Sequence, residues 1–134
     1  MNEYLDGSRN WRKVDYALKH APLTRGVYFI GMRRGGDKVK LLYVGSTHTQ
    51  SNLRSSIRQV FTGGSIDVWD KGLGTFLSGA SKKHLLVDWI ALKFPQDTIG
   101  DYVLEHAKEY HRLPRFNPPS EYRWSGKNEP FMHY

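Results

Sequence analysis

The chain has 134 residues, 39% hydrophobic and 25% charged, which is the balance of one globular domain with a single core. Twenty Lys and Arg against thirteen Asp and Glu leave a net charge of +7, a surplus that favours polyanionic partners. The absence of cysteine excludes disulfides and thiolate metal sites. No apolar run reaches the roughly 18 residues of a membrane span, and the polar opening, residues 1–10, does not read as a secretory signal. The expectation is a cytoplasmic protein (nucleoid or nuclear in a eukaryote) with no membrane partner.

The first element in chain order is a short amphipathic helix over residues 9–20, with Trp11, Val14 and Leu18 on one stripe and Asp6 or Ser8 as cap. Pro22 stops it. Two strands follow, Gly26–Ile30 and Val39–Val44, both rich in β-branched and aromatic residues. Between them lies Arg33-Arg34-Gly35-Gly36-Asp37-Lys38. A two-residue turn at Gly35-Gly36 would set Tyr28 directly opposite Tyr43, with both rings on one face of the hairpin.

A polar loop, residues 46–51, leads to a helix over about residues 52–61 whose buried stripe is Leu53, Ile57, Val60 and Phe61. Residues 62–81, rich in Gly, Ser and Thr, read as a long and partly irregular connection. A third, largely buried strand is expected at His84–Leu92, ended by Pro95. Thr98-Ile99-Gly100-Asp101 has the form of a capping box opening a helix to about Arg112, with Ile99, Val103, Ala107 and Tyr110 on its apolar face. The proline-rich, polar tail, residues 119–134, either packs across the domain, mediates self-association or is loose. The sum is one α+β domain, a three-stranded antiparallel sheet flanked by helices.

Four short motifs carry chemistry: Gly26-Val27-Tyr28, Tyr43-Val44-Gly45, the arginine-bearing helix that opens Asn52-Leu53-Arg54, and Leu104-Glu105 followed by Leu113-Pro114-Arg115-Phe116-Asn117. In this order and spacing they resemble the GIY-YIG nucleases, and the last stretch is similar to the amino-terminal nuclease domain of the bacterial excision-repair incision subunit. The resemblance spans about residues 22–118. It implies a metal-dependent endonuclease that hydrolyses phosphodiester bonds in DNA. On that likeness Tyr28 and Tyr43 supply and position the base, Glu105 holds Mg²⁺ or Mn²⁺, and a helix arginine braces the phosphate. Asn117 would tie the chain after the Glu105 helix back to the site, and Gly26 and Gly45 would allow close backbone packing beside it.

One motif departs from the family pattern. Aligning Asn52-Leu53 places Ser56 where the family has its arginine and Val60 where it has His or Tyr. Arg54 and Arg58 lie nearby, but on a helical wheel they fall about 100° and 140° from Leu53, whereas Ser56 and Val60 fall about 300° and 340° from it. The two pairs flank opposite sides of the buried stripe, so either Arg54 or Arg58 takes over the bracing role or the helix lacks it. Nucleic-acid contacts are expected from Arg33, Arg34 and Lys38 in the hairpin, from Lys82 and Lys83, and from His48. Two alternatives stand beside the nuclease: a catalytically impaired member that binds nucleic acid or joins a larger assembly, and an unrelated basic interaction module. So small a domain would need a homo-oligomer, a protein partner or a structured substrate for specificity.

Overall fold

The computed structural model describes residues 4–5, 10–35, 38–47, 50–62, 73–95, 98–99 and 101–102. Its centre is an antiparallel sheet built on β3 (Gly26–Gly35), which pairs with β4 (Lys38–Ser46) on one side and β5 (Leu85–Ala91) on the other. These are the three strands expected from the β-branched runs. Two two-residue strands extend the sheet, β1 (Tyr4–Leu5) beside β4 and β2 (Arg12–Lys13) beside β5, giving five strands in the order β1-β4-β3-β5-β2. The three-stranded expectation is corrected here, because a two-residue pairing leaves no periodicity for a sequence reading to find.

Arg12 and Lys13 pair with Val87 and Leu86, so the expected helix over residues 9–20 begins only at Val14 (α1, Val14–His20). Trp11 packs with the cluster on one face of the sheet while Val14 and Leu18 pack on the other, which splits the predicted stripe. The arginine helix forms as read (α2, Leu53–Thr62), and the Asn52 Oδ1 accepts the Ser55 N–H at 2.9 Å as its cap. The Gly/Ser/Thr-rich segment contains a further helix, α3 (Leu73–Gly79), that was not expected. A turn of 3₁₀ helix, Lys82–His84, then leads into β5. Pro95 and the described residues 98, 99, 101 and 102 are helical; Thr98, itself helical, donates its hydroxyl to the Phe94 carbonyl at 3.2 Å and is not a cap. Proline is well suited to a first helical turn, where no N–H is needed.

The sheet has apolar residues on both faces. Tyr28, Ile30, Leu42, Leu85 and Val87 join Ala17, Leu53, Ile57, Val60, Leu73 and Leu77 of the three helices in one cluster. Val27, Phe29, Leu41 and Val44 form the other, covered by Trp11, Ile99 and Tyr102, with the Phe29 and Tyr102 rings edge to face at 5.2 Å. On the first face α2 packs on β3 and touches both α1 and α3, while α1 reaches β5. No helix among the described residues is long and apolar enough to cross a membrane.

Candidate functional site

The register of the β3–β4 hairpin decides where the tyrosines stand. Tyr28 lies opposite Gly45, not Tyr43, and Tyr43 lies opposite Ile30. The expected direct pairing is thus corrected to a diagonal one. The offset arises where the ladder closes, with Gly35 paired to Lys38 instead of lying in the turn. Two irregularities further along, Arg34 as an extra residue on β3 and Leu42 as an extra residue on β4, lie on opposite strands and cancel in register. Because Gly45 and Tyr43 are two apart on β4, both tyrosines still project from the helix-covered face, their ring centroids 6.2 Å apart.

Gly45 is what makes room for Tyr28. A Cβ added there would overlap the Tyr28 ring at Cζ and its hydroxyl, so the ring lies flat over the glycine of the neighbouring strand. Gly26 is confined in the same way, between the Ile90 carbonyl of β5 and the Leu53 side chain at the start of α2. Thr47, buried just beyond β4, joins the two motifs: its N–H donates to the Gly26 carbonyl at 3.0 Å, and its hydroxyl accepts the Gly26 N–H at 3.2 Å. No motif had singled out Thr47. Tyr28 is 2% exposed, whereas Tyr43 is only half-buried.

On α2 the two edges separate as the wheel required. Arg54 Nε donates to the Ala21 carbonyl at 2.9 Å and Arg58 Nε to the Leu18 carbonyl at 3.1 Å. Both arginines therefore face the C-terminal end of α1, where carbonyls lack helical partners and a cation is favoured by the helix dipole. Ser56, on the opposite edge, is 5% exposed, and its hydroxyl lies 3.3 Å from that of Ser51. The anchoring of α1 predicts that Arg54→Ala lowers stability by about 1 kcal/mol, read as a fall in denaturation midpoint with an unchanged m-value. An unchanged midpoint would remove Arg54 from that role.

The expected nucleic-acid contacts gather at one end of the sheet. Arg33, Arg34 and Lys38 are exposed at the far end of the hairpin, and Lys82 and Lys83 are exposed in the turn that enters β5 opposite Met32. Of these, Arg33 and Arg34 line a cleft of about 610 Å³ together with Lys40 and His84, which were missed in the sequence, Lys40 because it sits within a strand and His84 because it reads as the first residue of one. Asp88 is a buried carboxylate on β5, but it stands opposite Phe29, on the face away from the tyrosines. Arg12 Nη1 pairs with it at 2.9 Å, and the same guanidinium stacks 3.9 Å from the centroid of the Trp89 ring.

His48, Glu105 and Asn117 lie outside the described residues, as does the expected helix beyond residue 102 and the tail. Among the described residues no three His, Asp or Glu side chains gather as a metal site. The chain matches no model of a known protein family, no characterised protein and no solved structure. What the geometry defines is an α+β domain with two neighbouring tyrosines on one sheet face and a basic cleft at the end of the same hairpin.

Proposed function

We propose that this chain is a metal-dependent endonuclease of the GIY-YIG type acting on DNA. The observation that carries the reading is the tyrosine pair: Tyr28 seated on Gly45, and Tyr43 diagonal to it with its ring 6.2 Å away and half-exposed. Two short motifs thereby serve one local arrangement, and each glycine in them is required by what packs against it. Tyr43 is the better placed of the two to take a proton from an attacking water, because its ring keeps access that Tyr28 lacks. Tyr28 orients the strand and ring around it.

Glu105 is the carboxylate that would hold Mg²⁺ or Mn²⁺, and one carboxylate completed by waters suits the hard, octahedral preference of Mg²⁺. Bound there, the ion would stabilise charge on the scissile phosphate and the leaving oxygen. With Arg54 and Arg58 turned to α1, the cations of the Tyr43 hairpin that line the cleft are Lys40, Arg33 and Arg34. These take the phosphate-bracing part in this reading.

The test is nicking of supercoiled plasmid and of a branched DNA by the full-length protein, with Mg²⁺ or with EDTA, beside Glu105→Ala. Metal-dependent nicking lost in the variant is expected. A second reading, a DNA-binding member without cleavage, draws on the burial of Ser56 where the family has arginine and on the use of both neighbouring arginines by α1. It predicts no nicking, with salt-sensitive binding kept by both proteins.

A further inference from the structure

The geometry points to a subsite for one unpaired nucleotide, its base on an apolar floor and its phosphates on the cationic rim, in the cleft between the far end of the β3–β4 hairpin and α3. The inference rests on the nucleic-acid reading above and says what form of DNA that site prefers. Met32, Leu42, Phe76 and Ala80 make the floor; Arg33, Arg34, Lys40 and His84 stand around it. No Asp or Glu lines the cleft among the described residues. A volume of about 610 Å³ lies within the usual range of small-molecule sites.

The two strand irregularities build this composition. Consecutive residues of a regular strand point to opposite faces, so Arg33 and Arg34 would normally diverge. The extra residue at Arg34 breaks the alternation, and both arginines line the cleft. The extra residue on β4 acts likewise on Leu42, which lines the cleft, and on Tyr43, which follows it and packs with the same face. The cleft therefore ends one residue from the half-exposed tyrosine. A mixed lining of this kind suits a nucleotide: apolar and aromatic side chains receive a base without reading its sequence, and Lys and Arg hold its phosphates. An acidic peptide would use the rim and leave the floor unfilled. A paired base, stacked within a duplex, would not reach the floor at all.

The experiment measures binding of full-length protein to labelled DNA in EDTA by fluorescence anisotropy. The probes are a perfect duplex, the same duplex with one unpaired thymine, and that duplex with an abasic unit in place of the unpaired thymine. The unpaired thymine is expected to tighten binding about tenfold over the abasic probe. Gly79→Phe is the blocking variant: Gly79 lines the cleft, nothing lies within 4 Å of an added Cβ, and every cation is kept. It is expected to erase the tenfold margin and leave duplex binding within about twofold. Equal binding of the thymine and abasic probes overturns the proposal. So does a margin that survives in Gly79→Phe, or competition by polyglutamate as effective as that by the unpaired probe. Plasmid nicking in Mg²⁺ separates this result from the endonuclease reading. A base-dependent margin without nicking leaves the subsite standing and removes the catalysis, whereas nicking without a margin does the reverse.

Discussion

Gly45→Ala is expected to destabilise the protein by about 1–3 kcal/mol and to lower its melting temperature by roughly 5–10 °C. The cause is local. The new methyl group would occupy space held by the Tyr28 ring, and that ring is 2% exposed, packed in the core with Leu53 and Ile57. Neither side can yield easily. Gly45 is fixed by its pairing with Tyr28 in the hairpin ladder, and Thr47, two residues on, is tied to Gly26 by two hydrogen bonds. A general loss of strand propensity predicts nothing of this size, since alanine fits strands at least as well as glycine. The background Tyr28→Leu separates the two accounts, because it removes the ring atoms that the methyl group would meet. In that background Gly45→Ala is expected to cost less than about half of its value in the wild type. An equal cost in both backgrounds would show that the ring is not what Gly45 accommodates.

The same pair of residues marks how far the sequence could be read. The strands themselves were legible, because Val27-Tyr28-Phe29-Ile30 is a β-branched and aromatic run and Leu41-Leu42-Tyr43-Val44 a continuous apolar one, with side chains packed on both faces. The stripe of α2 was legible for the equivalent reason at helical spacing. Register was not, since it depends on where the ladder closes, and neither the pairing of Gly35 with Lys38 nor the extra residues Arg34 and Leu42 carry a local mark in the sequence. Both inserted residues line the cleft, so the feature hardest to read in the sequence is also the one that shapes its chemistry.

Tertiary context overrode local preference in two further places. Arg12 and Lys13 continue a plausible helix, but the edge of β5 offers them backbone partners and Asp88 offers Arg12 a carboxylate. Leu73, Phe76 and Leu77 form a helical stripe among Gly, Ser and Thr; the stripe is short, and its helix forms where it can pack against α2. The choice between the two edges of α2 was posed correctly by the helical wheel. What decided it was the position of α1, whose terminal carbonyls take both arginines. Nothing local to α2 encodes that.

Tyr43→Phe is expected to lower metal-dependent nicking by about 10²–10⁴-fold and to leave the melting temperature within about 2 °C. The ring is kept, so its packing beside Tyr28 is kept; what goes is the hydroxyl through which a proton would leave the attacking water. Tyr28→Phe provides the contrast. Its hydroxyl lies over Gly45 in the buried interior, where it is poorly placed to meet a substrate. Its removal is expected to lower nicking less than Tyr43→Phe does, with the larger effect on stability, because the Tyr28 side chain is buried and that of Tyr43 only half-buried. Single-turnover nicking of a defined site at saturating DNA measures both, and binding in EDTA checks that neither variant has lost affinity. Nicking by Tyr43→Phe at the wild-type rate would end its assignment as the base. A larger loss in Tyr28→Phe would move that role to the buried ring and require that the site open to admit its substrate. The half-exposed ring of Tyr43, one residue from the cleft, needs no such opening.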